Sequence, residues 1–429
     1  MPLWYQNKWT SAQDAVSLIR SGDGVIAPHA AALPSHLLQA LTARAAELRD
    51  VTIFHLLSLA PAPYCAPGME RSFRFDSIFL SGSTRLAENE GRADYTPVFF
   101  HRLPEMLRNR RYRVAMVHVS PPDEQGFCSL GVSVDYTCAA IQCAELVIAQ
   151  VNRHMPRTGG DAVIHVDRLD VLVEHDEPLP ALQKPEIGEV ERAIGRHCAG
   201  LIQDGDTLQL GIGAIPDAVL LFLGEKRDLG IHSEMISDGV MELMRAGVVT
   251  NRKKTLDPGK CVIAFAAGSQ EFYQFLDGND AVVMRTVDYV NDPRIVMQQD
   301  NMVSINSCLA VDLSGQVCSE ALGDKQFSGV GGQVDFVRGA NMSRGGRAIM
   351  AMPSTAARGT VSRIVAAHPE GAVITTSRND VDYVVTEYGV AQLFGKTVHE
   401  RAQALIEIAH PDFRDGLRNA FERKYGRRP

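Results

Sequence analysis

The sequence predicts an α/β protein built from two similar open parallel-sheet α/β domains. Apolar runs typical of strands alternate with amphipathic segments typical of helices, which indicates parallel sheets covered by helices on both faces. Two stretches of the chain also match each other: GDGVIAPHAAALP, from Gly22, and GDTLQLGIGAIP, from Gly205. A chain of 429 residues is too long for one core and suits two domains of ordinary size.

The internal similarity extends beyond this pair of segments. Each segment opens with Gly-Asp, continues through an apolar run and a turn of small residues, and reaches a proline ahead of an apolar helix. Downstream, the pattern D-x-x-G followed by a serine occurs at Asp123 and again at Asp312. Two matches in the same order favour a duplicated architecture. A proline-rich, charged stretch at 175–188 predicts the boundary, with domains at 1–180 and 186–429.

Composition excludes several classes of protein. Charged residues make up 22% of the chain and the net charge is −8, which argues against a nucleic-acid-binding surface. The sequence shows neither an apolar run of membrane-spanning length nor the pattern of a secretory signal. The cysteines form no C-x-x-C pair and the histidines show no metal-ligand spacing. A cytoplasmic protein with reduced thiols and no metal site is expected.

The segment LGIGAIPDAV, residues 210–219, places two glycines where a predicted strand passes into a predicted helix. Gly211 and Gly213 allow backbone amides to approach a ligand, and a helix that begins near Pro216 presents its N-terminus to an anion. The alternative is a tight turn that binds nothing. A dinucleotide-binding fingerprint is disfavoured because Pro216 stands where its third glycine belongs.

Glu234 follows the apolar segment DLGIH, which we interpret as a strand. The carboxyl ends of strands in open α/β sheets face the ligand crevice, where a carboxylate can attack a carbonyl and form an acyl intermediate. The alternative is a solvated loop glutamate. Asp238, four residues on, is interpreted as the cap of the next helix and not as a second catalytic carboxylate.

Two later segments carry further candidate groups. Gly329, Gly331 and Gly332 predict a turn ahead of a strand. Arginines that follow this turn suit a phosphate-bearing ligand, although a hairpin with solvated charges is the alternative: Arg344, Arg347, Arg358 and Arg363. In residues 375–397, two predicted strands flank an Asn-Asp turn, and Glu387 is a rival carboxylate whose strand context suggests a structural role.

The motifs LGIGAIPDAVL, IHSEMISDGV, KQFSGVGGQVDFVRGA and TTSRNDVDYVVTEYGVA together resemble the acetyl-CoA hydrolase/transferase family, and its coenzyme A-transferase branch in particular. The resemblance covers most of residues 185–415 and, less closely, the N-terminal half. It implies a ping-pong transfer of coenzyme A between carboxylic acids in a cleft between the two domains. Glu234 matches the family's nucleophile, which becomes a mixed anhydride and then a glutamyl-CoA thioester. An acyl-CoA hydrolase on the same scaffold is the alternative.

The resemblance also implies which residues bind the substrates. The oxyanion and CoA loop matches five consecutive residues: Gly211, Ile212, Gly213, Ala214 and Ile215. Further CoA contacts match a second set, in which Arg358 replaces an expected lysine as the phosphate contact: Leu309, Gly331, Gly332, Ala357 and Arg358. A small pocket for a C4 or C5 acid such as 4-hydroxybutyrate, butyrate, succinate or itaconate is expected around the N-terminal loops: His29, His55 and Leu57, with Arg71 or Arg74 for a second carboxylate.

The partners that the resemblance implies are small molecules. Coenzyme A enters as a substrate, and no tightly bound cofactor is expected. Neither a nucleic acid nor a membrane is an expected partner. The family suggests that the chain forms a homodimer or a homotetramer.

Overall fold

The computed structural model describes residues 3–110 and 112–429, and the chain divides into two compact units. Unit 1 runs up to Gln183 and also contains Val262–Val290. Unit 2 consists of Lys184–Cys261 and Asn291–Pro429. Each unit contains a parallel sheet with helices, as the alternation of strand and helix patterns predicts.

This grouping differs from the predicted domains, 1–180 and 186–429, because residues 262–290 belong to unit 1. Backbone hydrogen bonds hold this segment there. The Ala266 N–H donates to the carbonyl of Val132 at 2.8 Å, and the Val134 N–H donates to the carbonyl of Ala264 at 3.0 Å. Such pairings join segments far apart in the chain, and no local sequence pattern encodes them.

The strands up to residue 183 are β1 (Gly24–Ile26), β2 (Val51–Phe54), β3 (Phe73–Ser77), β4 (Ala93–Tyr95), β5 (Val114–Val119), β6 (Phe127–Ser129), β7 (Leu146–Val151), β8 (Gly159–Gly160), β9 (Val163–His165) and β10 (Val171–Glu174). The later strands are β11 (Thr207–Leu210), β12 (Gly230–Ile236), β13 (Cys261–Ala266), β14 (Val282–Met284), β15 (Met302–Ser307), β16 (Ala310–Asp312), β17 (Val317–Cys318), β18 (Ala321–Leu322), β19 (Lys325–Gln326), β20 (Arg347–Ala351), β21 (Thr355–Ala356), β22 (Val361–Ser362), β23 (Ile364–Val365), β24 (Tyr383–Thr386) and β25 (Gly389–Gln392).

The α-helices are α1 (Ala12–Ser17), α2 (Ser35–Ala43), α3 (Arg85–Asn89), α4 (Leu103–Arg110), α5 (Thr137–Cys143), α6 (Glu189–Gly200), α7 (Ala214–Leu221), α8 (Asp238–Arg245), α9 (Gln270–Leu276), α10 (Val287–Val290), α11 (Pro293–Val296), α12 (Gln333–Met342), α13 (Val398–Glu407) and α14 (Pro411–Tyr425). Short 3₁₀ helices lie at Leu3–Lys8, Pro63–Cys65, Phe100–Arg102 and Val166–Arg168.

The two units repeat one strand order. Unit 1 has a seven-stranded sheet, β10-β7-β5-β1-β2-β3-β4, in which every neighbouring pair is parallel. The parallel strands of unit 2 follow the order β24-β20-β15-β11-β12, and β25 pairs antiparallel with β24. Strand β11 therefore lies between β15 and β12 as β1 lies between β5 and β2. The predicted two-domain parallel α/β fold is confirmed.

The Gly-Asp turns that open the two similar segments have matching geometry. Gly22 and Gly205 adopt φ values of 83° and 82°, a region that favours glycine. Asp23 and Asp206 each accept a hydrogen bond from the backbone N–H three residues earlier, at 2.8 Å and 2.6 Å. Each aspartate also forms an ion pair with an arginine. The repeated sequence pattern therefore corresponds to a repeated turn structure.

The two D-x-x-G turns also match. Asp123 and Asp312 each accept hydrogen bonds at 2.9–3.0 Å from the N–H groups two and four residues later. Gly126 and Gly315 adopt φ values of 87° and 97°, which only glycine tolerates without strain. This agreement supports the duplication that the sequence predicts.

Two local predictions are wrong. The turn at Gly331 and Gly332 leads into helix α12 and not into a strand. The exposed residues of α12, Arg338, Asn341 and Met342, are three and four positions apart, which is the period of a helix and not the alternation of a strand. In the later segment, residues 378–380 form a turn ahead of β24, but the residues before the turn form only an isolated bridge, at Thr376, and not a strand. The partner of β24 is β25, which follows Glu387 and Tyr388.

Among the described residues, no helix combines the length and apolar character needed to cross a membrane.

Candidate active site

Glu234 lies within β12, two residues before the strand ends at Ile236. Strand β11 ends earlier, at Leu210, and the parallel register of β11 with β12 continues so that Gly211 lies level with Glu234. Glu234 is partly exposed, whereas the residues on either side of it in β12 are buried. The glutamate therefore stands at the carboxyl edge of the sheet although the strand itself runs on.

Asn291 fixes the carboxylate of Glu234. Its Nδ2 donates a hydrogen bond of 2.7 Å to Glu234 Oε2, and its side chain is fully buried. An amide donor on a carboxylate oxygen is also placed to stabilise negative charge that develops on that oxygen during a reaction. Sequence reasoning missed Asn291, because it lies in the short connection between α10 and α11, with no motif around it.

Gly332 lies directly against the same carboxylate. A Cβ atom at this position would overlap Glu234 Oε2 and Asn291 Nδ2 and would lie 3.2 Å from Glu234 Cδ. Glycine is required here by close approach, since its φ of −90° is accessible to any residue. The structure thus brings Gly332, which the resemblance implied as a CoA contact, into contact with the candidate nucleophile.

Gly332 is also the N-cap of helix α12, and no side chain caps this helix end. The N-terminus of a helix carries partial positive charge that stabilises a nearby anion. Glu234 and any oxyanion formed on it therefore lie at the positive end of α12.

The loop between β11 and α7 has the geometry of an anion-binding turn. Gly213 caps α7 with φ 118° and ψ 179°, a conformation essentially restricted to glycine. The helix begins at Ala214, two residues before the predicted start at Pro216. Ile212 is exposed, and Ile215 is buried below the turn. The N–H groups of the first helical turn have no partners within the helix, as a phosphate or oxyanion site requires.

Asp238 does not cap helix α8, because Ser237 is the N-cap and Asp238 is the first helical residue. Asp238 is buried and lies close enough to Asp217 to contribute to raising its pKa. Burial is the largest cause of that shift, which brings the pKa of Asp217 to about 6. The interpretation of Asp238 as a cap was wrong by one position, within the usual uncertainty of a helix end.

The remaining predicted CoA contacts occupy different environments. Leu309 connects β15 to β16, and its N–H donates to the carbonyl of Cys318 at 2.9 Å. Gly331 is buried in the turn before α12, with φ 52°. Ala357 and Arg358 are exposed at the tip of the β21–β22 hairpin, with φ values of 48° and 57°. Two successive non-glycine residues in the left-handed region are uncommon and are typical of functional turns.

Two of the candidate arginines are already engaged within unit 2. Arg344 pairs with Asp300, and the largely buried Arg347 pairs with Asp206 at 2.7 Å. The prediction that these arginines form a phosphate site together with Arg358 is therefore not supported.

Glu387 has a structural partner. Its carboxylate accepts hydrogen bonds from the N–H and the hydroxyl of Ser354, at 2.8 Å and 2.6 Å. This arrangement links the turn after β24 to the segment after β20, as the structural interpretation of Glu387 predicts.

The predicted acyl-pocket histidines are both buried in unit 1. His29 Nε2 lies 2.9 Å from Asp135 Oδ2, which also accepts a hydrogen bond from Ser133 at 2.8 Å. His29 Nδ1 has no hydrogen-bond partner in the described part of the chain. The ring of His29 is 2% exposed and packs against Tyr136 and Phe265, so its Nδ1 is enclosed by protein.

His55 differs, because both of its ring nitrogens are used inside the protein. Nδ1 donates to the carbonyl of Leu56 at 2.7 Å, and Nε2 bonds the hydroxyl of Tyr64. Burial lowers the pKa of His55 to about 4, so the ring is neutral. The carbonyl of Leu57 accepts a hydrogen bond of 2.7 Å from the Ala30 N–H, which ties the loop after β1 to the loop after β2.

Arg74, a candidate for binding a second carboxylate, is engaged with Asp94 through two hydrogen bonds. Arg71 is exposed. Within residues 3–110 and 112–429, no group of three or more His, Cys, Asp or Glu side chains is arranged to hold a metal ion.

Comparisons with known proteins identify the family of the chain. The model of the acetyl-CoA hydrolase/transferase N-terminal domain matches residues 3–183, and that of the acetyl-CoA hydrolase/transferase C-terminal domain matches residues 268–421. The 4-hydroxybutyrate coenzyme A transferase of Clostridium kluyveri is 55% identical, over 98% of this chain and 99% of its own. The succinyl-CoA:cyclohexane-1-carboxylate CoA transferase of Geobacter metallireducens is 45% identical, over 98% and 96%. A crystal structure of 4-hydroxybutyrate CoA-transferase from Porphyromonas gingivalis superposes with a TM-score of 0.85 at 44% identity, over 98% and 99%.

Proposed function

The chain belongs to the acetyl-CoA hydrolase/transferase family and is a CoA-transferase, and from this premise we propose that Glu234 carries CoA between two carboxylic acids in a ping-pong reaction. The observation that supports this most is the hydrogen bond from buried Asn291 to Glu234 at the N-terminus of α12. This environment keeps the carboxylate oriented and stabilises negative charge on it.

In the first half-reaction, the Glu234 carboxylate attacks the carbonyl of the acyl-CoA thioester. The C–S bond breaks, CoA leaves as a thiolate, and a mixed anhydride remains. The thiolate then attacks the glutamyl carbonyl of the anhydride. The first acid departs as a carboxylate, and Glu234 is left as a glutamyl-CoA thioester.

In the second half-reaction, an incoming carboxylate attacks the glutamyl thioester and the same two steps run in reverse. No proton is consumed and no external energy source is required, because one thioester is exchanged for another. Each step passes through a tetrahedral oxyanion. Asn291 Nδ2 donates a hydrogen bond to the oxyanion that forms on the glutamyl carbonyl. The backbone amides of Gly213 and Ala214 donate to the oxyanion that forms on the acyl carbonyl.

The CoA chain is bound by unit 2 in this proposal. Gly211, Ile212 and Ile215 contact it beside the sheet edge, together with Leu309 and Gly331. Ala357 and Arg358 reach its phosphates from the exposed hairpin tip. Binding energy from these remote parts holds the thioester against Glu234.

The acyl group is a small acid of four or five carbons such as 4-hydroxybutyrate or butyrate. In this proposal the acyl pocket lies near the loop that carries Leu57 and near His29, whose ring is fixed by Asp135. Because Arg74 is already paired with Asp94, Arg71 is the remaining candidate to bind the second carboxylate of a diacid such as succinate or itaconate. His55 supports the pocket by holding the loop after β2, since neither of its nitrogens is free.

The direct test is mass spectrometry of the intact protein after mixing with short acyl-CoAs and no acceptor acid. We expect a mass gain equal to bound CoA, located on Glu234 and absent in Glu234→Gln. Release of CoA without an adduct and without an acceptor would favour the hydrolase alternative instead. We further propose that the enzyme acts in the cytoplasm as a homodimer or homotetramer, which sedimentation of the purified protein tests.

A further inference from the structure

The residue after Gly332 makes a buried side-chain hydrogen bond. Gln333 Nε2 donates to the hydroxyl of Thr376 at 2.8 Å. Gln333 is 7% exposed and Thr376 is fully buried, so water does not replace this bond. A buried amide that loses its partner is left desolvated and unpaired, which makes the bond a strong constraint on the first turn of α12.

Thr376 is itself held in place by backbone bonds. Its N–H donates to the carbonyl of Val317, and its carbonyl accepts from the Val317 N–H, both at 3.1 Å. The neighbouring Thr375 hydroxyl accepts a hydrogen bond of 3.0 Å from the N–H of Ser319. Strand β17, which contains Val317, is paired with β16. Thr376 is therefore a fixed point to which Gln333 is tied.

The position of Gly332 needs such a fixed point. An atom added at Gly332 would displace the side-chain ends of Glu234 and Asn291, and no side chain caps the helix that begins there. A shift of about 1 Å between reacting groups can lower a rate about 100-fold. A bond that sets the position of the first helical residue thus sets the distance between the positive end of α12 and the carboxylate.

We infer that Thr376 is a positioning residue for CoA transfer: acting through Gln333, it holds Gly332 and the N-terminus of α12 against Glu234. The inference rests on the proposed role of Glu234 and assigns no contact with substrate to Thr376. It predicts a loss in the rate of the chemical steps with little change in the affinity for CoA.

Thr376→Val tests the inference, because it keeps the shape of the side chain and removes the hydroxyl. We expect kcat and the rate of CoA adduct formation to fall 10- to 100-fold while KM for acyl-CoA changes less than about threefold. Thr376→Ser keeps the hydroxyl and should restore at least half of the wild-type rate. The inference is overturned if Thr376→Val forms the adduct at the wild-type rate, or if Thr376→Ser is as slow as Thr376→Val.

Thr386→Val is the matched control. Thr386 is also fully buried in unit 2. Its hydroxyl donates to the carbonyl of Ile408 at 2.6 Å and accepts a hydrogen bond from the Tyr388 N–H at 3.1 Å. Thr386→Val should therefore lose at least as much stability as Thr376→Val. Only Thr376→Val should slow adduct formation in the folded protein, and an equal slowing in both would show a general effect of destabilisation and overturn the inference.

Gln333→Met removes the same bond from the other side and keeps the inference testable if Thr376→Val does not fold. The double variant should be no slower than the slower single variant, because both changes break one interaction. Additive losses would overturn the inference. Failure of the proposed function is distinguishable, because the wild-type protein would then form no adduct on Glu234 at all.

Discussion

Asn291 Nδ2 donates a 2.7 Å hydrogen bond to Oε2 of Glu234, which lies 57 residues earlier in the chain. Gly332 lies against the same oxygen atom. The carboxylate is thus held between a buried amide and the start of helix α12. This arrangement orients Glu234 for attack and offers a donor to the oxyanion that forms on it afterwards.

Asn291→Ala is expected to lower kcat about 100- to 1,000-fold, because it removes a donor that faces the developing charge. KM for acyl-CoA should change little, since the amide bonds the glutamate and not the substrate. Steady-state kinetics and the rate of adduct formation measure this. Asn152→Ala removes an equally buried amide, whose Nδ2 donates to the carbonyl of Glu177 at 2.7 Å, and serves as the control. If Asn291→Ala retains more than a third of the wild-type kcat, the amide has no part in the chemistry.

Gly332→Ala is expected to abolish transfer while leaving the protein folded. The added methyl group would occupy the space of Glu234 Oε2, whereas the backbone conformation of Gly332 is ordinary for alanine. Activity should fall at least about 1,000-fold, as after loss of the nucleophile's geometry. Circular dichroism and activity assays measure the two effects. Gly224→Ala, at an open position with no neighbour within 4 Å, should behave as wild type. An active Gly332→Ala would contradict the close approach.

Sequence patterns predicted Glu234 as the nucleophile because the glutamate follows a strand pattern and stands near a glycine turn. Of the glycines in that turn, Gly213 adopts a backbone conformation that favours glycine, with φ 118°. Local patterns were sufficient wherever the constraint itself was local. The repeated Gly-Asp and D-x-x-G turns belong to this class.

Patterns failed where distant packing decides the structure. Asn291 has no local signal, because its role depends on β12, more than 50 residues earlier in the chain. Val334, Phe336 and Val337 favour a strand by their intrinsic preference, yet they lie in helix α12, where tertiary context overrides that preference. Residues 262–290 group with unit 1 through backbone pairings that involve Val132 and Val134.

Gly213→Ala is expected to lower both stability and kcat/KM. At φ 118° and ψ 179°, alanine adds backbone strain of about 1–3 kcal/mol, and nothing within 4 Å would clash with its methyl group. Relief of that strain would rotate the amides that face the ligand. Urea unfolding and kinetics measure the two effects. Gly224→Ala is the matched control, since it is equally open but has no positive φ. A wild-type kcat/KM in Gly213→Ala would show that the loop tolerates another conformation.

Arg358→Ala is expected to raise KM for acyl-CoA about tenfold with little change in kcat, because it removes a uniform contact to phosphate. The effect should weaken with added salt and should vanish when dephospho-CoA thioesters replace CoA thioesters, if the contact is to the 3′-phosphate. Arg358→Asn tolerates the left-handed backbone, so it separates loss of charge from strain. Arg344→Ala, which removes an exposed arginine paired with Asp300, is the control. An unchanged KM in Arg358→Ala would remove this residue from the CoA site.

Acidification is expected to destabilise unit 1 through two buried histidines. Burial lowers the pKa of His118 to about 3 and that of His55 to about 4, from an ordinary value of 6.5. Below pH 6.5 these two histidines are protonated in the unfolded chain but stay neutral in the folded chain. The free energy of unfolding therefore falls as the pH falls towards 4. Each histidine can contribute about 2 kcal/mol of this loss by pH 5. Above pH 6.5 their contribution is complete and independent of pH.

Urea unfolding at pH 7.5 and at pH 5.0 measures this dependence. His118→Gln should be less stable than wild type at pH 7.5, because His118 Nε2 pairs with Asn152 at 3.1 Å, yet it should lose less stability on acidification. His154→Gln, at an exposed position, should follow the wild-type curve. If the free energy of unfolding falls equally from pH 7.5 to pH 5.0 in wild type and in His118→Gln, protonation of His118 costs no stability. The complete burial of this histidine argues against that outcome.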